Sequence, residues 1–490
     1  MLHDWGSSDN INFDLNAGQR AFAYSAPSGY KALCTTNLPT PTIADGSAHF
    51  DAKLWTGNSP ATQTISGLGF GPDLVWIKNR SAVKNHAVLD IVRGGDKVLK
   101  SNSTAAEDTA SNFITSFTSD GFTIGNDSSI NGSSNSVVGW TWNAGANSNK
   151  TYTVKVVSDS GNKYRFDDFG TSAVTLDLAE GSTYIFDQSD SSNSGHPIRF
   201  GTSSNGTDYT TGVTHVGTPG SAGAKTTLVL GTGVSTLYYS CANHSGMGGQ
   251  INTNSTGGAS NFDGTIQATV KANPEAGFSI CKITNPSSDT VYTFGHGLNA
   301  VPKFIFYRIY DETSVWWVHH ADLGVNKYLY LYATNGVATN NYVFNNTAPT
   351  SSVITNYASN ANHLNEGRKM IYYCISPVAG YSAVGSYTGN GSTDGPFIYT
   401  GFRPAFVIQK RTDSTGNWRI RDTKRGTYNA IEDVLYADTT ASTITEDPYD
   451  FLSNGFKIRT SGPHNNASGG SYIYFAFAEN PFQANGGLAR

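Results

Sequence analysis

The chain has 490 residues with a formal net charge of −5, and only 14% of them are charged, against 53 glycines, 26 tyrosines and 25 phenylalanines. An average soluble domain is about 25% charged, so this composition implies a turn-rich β chain of about three or more domains, made polar by Ser, Thr and Asn. No Lys/Arg cluster forms a nucleic-acid footprint, no apolar run approaches the ~20 residues of a membrane helix, and Cys34, Cys241, Cys281 and Cys374 are spaced too widely for a disulfide framework.

Residues 1–46 stand apart from the rest of the chain, and their start, Met1-Leu-His-Asp-Trp-Gly6, lacks the basic and apolar regions of a secretory signal. The next segment, 47–146, is the first copy of an internal repeat whose other copies are placed at 259–380 and 381–483. Pro72-Asp-Leu-Val-Trp-Ile-Lys-Asn-Arg80, Pro302-Lys-Phe-Ile-Phe-Tyr-Arg-Ile-Tyr310 and Pro404-Ala-Phe-Val-Ile-Gln-Lys-Arg-Thr412 each open on proline and run into an apolar strand. The register then holds without gaps through His86, Trp316 and Trp418, then Val88, Val318 and Ile420, then Asp90, His320 and Asp422, then Gly94, Gly324 and Gly426. Upstream, Trp55-Thr-Gly-Asn58 matches Tyr387-Thr-Gly-Asn390, and Lys282-Ile-Thr-Asn285 is a weaker, shifted copy. Downstream, Asp120-Gly-Phe-Thr-Ile124 matches Asn454-Gly-Phe-Lys-Ile458 while the middle copy diverges. Alternating aromatic strands close the copies: Val138–Trp142, Ile371–Ile375 and Ile473–Phe477. A unit of about a hundred residues is a repeated domain, since solenoid repeats run to about 20–50.

Between the first two copies lies an insert, 151–253, flanked by the polar joints Gly145-Ala-Asn-Ser-Asn149 and Asn254-Ser-Thr-Gly-Gly-Ala-Ser260. Its alternating runs at Tyr152–Val157, Val174–Leu178, Thr183–Phe186 and Thr226–Leu230, each ended by turn residues, are strands. Near its end, Cys241-Ala-Asn-His244-Ser-Gly-Met247 sets a thiolate, an imidazole and a thioether at the spacing of single-copper sites, and His196 in Ser194-Gly-His-Pro197 offers a second imidazole. One Cys, two His and a long axial Met make a soft donor set suited to copper. His215 reads as a solvated loop histidine.

With strand pattern and ligand order together, the insert resembles the cupredoxin family, typified by plastocyanin and amicyanin. That likeness implies His196 and His244 as nitrogen ligands, Cys241 as thiolate and Met247 as axial ligand of a type 1 copper centre. Phe13–Tyr24, Ser28–Leu33 and Thr36–Pro39 resemble the closing strands of a SPRY or concanavalin-like lectin module in tail fibres of marine bacteriophages, and the repeats resemble the modules that come after it there. Only the end of that module is present, so its sugar site is not carried over.

The expected fold class is therefore all-β: a string of β-sandwich modules, three related repeats plus one cupredoxin-like sandwich. The fibre resemblance implies a structural, host-interacting virion protein that associates with copies of itself, as a homotrimer, and with other virion proteins, and that meets a host surface glycan or protein. Neither nucleic-acid binding nor membrane insertion is expected. The expected location is the virion surface, reached after synthesis in the host cytoplasm without a signal peptide. The alternative is a secreted or surface blue-copper electron-transfer protein. A glycan depolymerase ranks lower and no enzyme is expected, because no nucleophile elbow, phosphate loop or His-Glu-x-x-His is present. Glu432-Asp433 and Glu446-Asp447, the pairs that could be posed as glycosidase carboxylates, read as solvated loops, and Trp316-Trp-Val-His-His320 reads as core aromatics.

Overall fold

A computed structural model describes residues 41–146, 149–254, 257–287, 289–341, 343–358 and 366–481. The N-terminal segment expected over 1–46, with Cys34 and its lectin-like strands, lies outside them up to residue 40. The protein is all-β and built of β-sandwich modules. In each repeat the Pro-led strand (Leu74–Asn79, Phe304–Ile309, Phe402–Arg411) lies between the closing strand (Ser136–Trp142, Lys369–Ile375, Ser471–Pro481) and the next strand in sequence (Ala87–Asp90, Trp317–His320, Arg419–Asp422). The register is common to all three: Leu74 opposes Trp142, Phe304 opposes Ile375 and Phe406 opposes Phe477.

The opening motif has a steric cause. The Asn58 N–H donates to the side chain of buried Asn131 at 2.8 Å, and the Asn390 N–H to that of Asn466 at 2.7 Å. A Cβ at Gly57 would come within 2.1 Å of the Gly132 carbonyl, and one at Gly389 within 2.3 Å of the Ala467 carbonyl, so only glycine lets these backbones meet. In the middle copy Ile283 opposes Met370, the place that Trp55 and Tyr387 take opposite Val137 and Tyr472.

The modules share one hydrophobic core. Trp76 and Trp140, Phe306 and Trp316, and Phe406 and Trp418, a pair from each repeat, belong to a single buried cluster. A ring of hydrogen bonds runs around it in one sense. His86 Nε2 donates to the Tyr436 carbonyl at 2.9 Å, Trp418 Nε1 to the Tyr330 carbonyl at 2.8 Å, and Trp316 Nε1 to the Lys100 carbonyl at 2.9 Å. The first repeat thus bonds to the third, the third to the second, and the second to the first. The cation six residues after each proline repeats the pattern: Lys78 Nζ donates to the Thr440 carbonyl, Lys410 Nζ to that of Thr334, and Arg308 to those of Ser103, Thr104 and Ala105. Burial pulls both lysine amines down to about 8. These carbonyls satisfy groups that would otherwise be costly to bury.

A third layer keeps the same order. Tyr373 Oη donates to Asp90 at 2.7 Å and Trp140 Nε1 to Asp422 at 2.9 Å, and each aspartate also holds an arginine three residues on, Arg93 or Arg425, at 2.6 Å. In the second repeat that arginine position is Leu323 and the facing aromatic is Phe475. A carboxylate there would be buried without the side-chain donors of the other two repeats, and His320 replaces it, donating to the Tyr474 carbonyl at 3.4 Å.

The insert is a sandwich of two sheets. Lys150–Ser158 pairs parallel with Thr183–Asp187 in one, and Leu176–Ala179 pairs parallel with Gly249–Asn254 in the other. Between them lies its own buried cluster, from Tyr152 to Ile251, to which the second repeat contributes Phe262.

Candidate metal centre

The strand Ile198–Gly201 pairs antiparallel with Leu237–Cys241, and Ile198 opposes Cys241. That register sets Cys241 at one strand end and His196 two residues before the start of the other, so residues 45 apart in sequence meet. A 3-10 turn, Ser191–Asn193, precedes His196, capped by the Asp190 side chain on the Ser192 N–H, and the His196 N–H closes on the Asn193 carbonyl at 2.8 Å. On the other side the chain doubles back after Met247. A Cβ at Gly248 would fall 1.7 Å from the Tyr239 carbonyl, which excludes any side chain there.

Cys241 Sγ lies 3.8 Å from His196 Nδ1 and 3.6 Å from His244 Nδ1, and the three donor atoms lie within 4.8 Å of one another. The two imidazole rings stand 4.6 Å apart at 47°. Cys241 is 2% exposed, His196 is half-buried and His244 is exposed, so the sulfur faces the core and one imidazole edge faces solvent. The Asn243 N–H donates to Cys241 Sγ at 3.4 Å, while its side-chain amide donates to the Gly195 carbonyl at 2.9 Å and ties the two ligand loops together. Gln188 Nε2 and Tyr164 Oη both donate to the His196 carbonyl at 2.9 Å. Burial and the neighbouring His244 lower His196 below the ordinary histidine range, which favours the neutral ring a metal needs. Met247, 1% exposed, lies in the same apolar cluster as Cys241.

A buried sulfur that accepts a backbone N–H, two Nδ1 atoms converging on it and a thioether in the same core are donor types that would suit a soft metal ion such as copper. The structure brings together three of the four residues singled out in the sequence and places the fourth in the adjoining core. Tyr164, Gln188 and Asn243 were not singled out. Asn243 stands between Cys241 and His244 and could have been found by proximity, whereas Tyr164 and Gln188 carry no signal beyond strand alternation.

The other sequence candidates lie elsewhere. Trp316 is fully buried in the shared core, and His319 and His320 are 2% and 0% exposed. His215 is exposed, with Nδ1 3.0 Å from Thr226 Oγ1. Glu446 accepts from Tyr436 Oη and Arg419, and Asp447 accepts from Thr460 and Asn465, so both carboxylates serve a local network. Glu432 is exposed, and Asp433 lies 3.9 Å from Arg80. Cys241, Cys281 and Cys374 are free and buried. No helix of the described residues is long and apolar enough to cross a membrane.

A family model described as a domain of unknown function (DUF7483) matches residues 45–177 and 250–481. The stretch between these segments holds His196, Cys241, His244 and Met247. No curated protein and no solved structure matches the chain.

Proposed function

The chain belongs to the family described as a domain of unknown function (DUF7483), and from that premise we propose that it is a structural component of a virion appendage, a tail fibre or similar surface part, whose insert carries a type 1 copper centre. The observation that carries the metal assignment is the convergence of His196 Nδ1, His244 Nδ1 and buried Cys241 Sγ within 4.8 Å. Copper, when bound, supplies a one-electron couple. Cys241 offers the thiolate, the Asn243 N–H withdraws charge from its sulfur, and the core around Met247 excludes water. The half-buried His196 and exposed His244 leave an edge open to solvent.

The scaffold reading is supported by three β repeats that share one core, with Cys241, Cys281 and Cys374 all free, and by a low charge that favours packing between subunits. Association with copies of itself, as the trimer the fibre resemblance implies, and attachment to a host glycan or protein belong to this reading. Sedimentation tests the self-association: three chains are expected, and a single 52.2 kDa mass would remove the homotrimer. The exposure of His244 favours one second reading, a secreted or surface electron-transfer protein.

The deciding experiment is a copper(II) titration followed by visible absorption and electron paramagnetic resonance. A saturable blue signal at one copper per chain is expected. Its absence would leave the insert as a spacer or attachment module and withdraw both the cofactor and the electron-transfer reading.

A further inference from the structure

Tyr164 meets the metal centre from a strand that supplies none of its ligands. It lies in Asn162–Phe166, fully buried among the insert's core residues. Its N–H donates to the Met247 carbonyl at 2.9 Å and its hydroxyl to the His196 carbonyl at 2.9 Å, while the Ala173 N–H donates to the Tyr164 carbonyl at 2.8 Å. The preceding residue adds a contact to the same loop, Lys163 Nζ donating to the Gly246 carbonyl. The two loops that present the ligands are therefore both bonded to one residue. Burial holds the phenol well above the usual tyrosine range.

We propose that Tyr164 is the positioning residue of this centre: its N–H fixes the Met247 loop and its hydroxyl fixes the His196 loop. Outer partners orient the ligands of a metal site. The spectroscopic part of this inference rests on the copper reading. The positioning part does not, because both bonds hold the loops with or without metal.

Tyr164→Phe removes only the hydroxyl. The ring keeps its place 6.4 Å from Tyr239, and Gln188 still holds the His196 carbonyl. The variant is made in a Cys34→Ser background, so that Cys241 is the reporting thiol; Cys281 and Cys374 are fully buried in the second repeat. In the metal-free protein the rate of Cys241 modification by an aromatic disulfide reagent is measured alongside the thermal midpoint. About a fivefold faster reaction is expected, the weight of one net hydrogen bond, with little change in midpoint; equal rates would overturn the positioning role. In the copper-loaded protein, one copper per chain is expected with a changed copper hyperfine splitting, because a loop that carries a ligand loses a tether. An unchanged spectrum would overturn the hold of the hydroxyl on the ligand loop. A parent protein that shows no copper signal at all would sink the copper reading, and the metal-free rates would still decide Tyr164.

Discussion

Cys241 combines a structural and a chemical part that a single substitution separates. It is 2% exposed and accepts the Asn243 N–H. Serine keeps an acceptor there, and burying its hydroxyl costs about 1–3 kcal/mol. Cys241→Ser is accordingly expected to abolish the blue band while leaving a cooperative unfolding transition; a copper-loaded variant that keeps its colour would refute the thiolate assignment. Asp438 allows a different test. It accepts the Trp418 N–H at 3.0 Å and the Asn417 amide at 2.9 Å, yet burial pushes its carboxyl up to about 6. A folded value above the unfolded one, near 3.9, means that the native state holds the extra proton. Its stabilisation is complete below pH ~4 and is lost as pH rises through ~6, by on the order of 2 kcal/mol. Denaturant midpoints at pH 4 to 7 should therefore fall for the parent relative to Asp438→Asn; parallel curves would show that Asp438 titrates normally. The sequence exposed the four candidate ligands because Cys, His and Met at a fixed spacing carry chemistry. It did not expose Tyr164 or Gln188, whose bonds end on the backbone carbonyl of His196, an acceptor every residue has.

Side chains of neighbouring strand and loop positions around the shared core compensate one another in volume. Four and fourteen residues after each proline stand Trp76 and His86, Phe306 and Trp316, and Ile408 and Trp418: a large residue at the first position goes with a smaller one at the second. The Trp76 indole also donates to His86 Nδ1 at 2.8 Å, which directs the other ring nitrogen to the Tyr436 carbonyl. His86→Trp should overpack beside Trp76 and cost about 1–3 kcal/mol. Adding Trp76→Phe recreates the pairing of the second repeat and should recover most of that loss, a coupling that denaturant midpoints of the four proteins would measure. Purely additive losses would mean that the two sites do not share space. The repeats were legible because alternation and the proline-led register are written in side chains. The order of repeats around the ring was not, since Trp316, Trp418, Lys78 and Lys410 all end on main-chain carbonyls of the next module.

At the scale of the whole molecule, the insert is joined to the ring by more than its two linkers. Phe262, just past the joint, is 4% exposed and packs on Tyr152 at 5.7 Å and Phe169 at 5.2 Å. Tyr152 Oη donates to the Ser260 carbonyl at 3.0 Å, the Asp177 N–H to Ser260 Oγ at 2.7 Å, and Thr269 Oγ1 to Asp177. These contacts all fall at the base of the insert, whereas the inter-repeat bonds involve none of its residues. Removing 147–253 and joining Ala146 to Asn254 should therefore leave the ring folded, with strand content and cooperative unfolding intact. It would also uncover a phenylalanine whose burial is worth about 1.5–3 kcal/mol, and the product should self-associate. Phe262→Ser in the same deletion should restore solubility without changing the ring's midpoint, since Phe262 lies in the insert's core cluster and outside the shared one. Light scattering and thermal unfolding of the two deletions decide the matter. If both precipitate, the insert and the ring fold as one unit; if both are soluble, Phe262 contributes little to the joint.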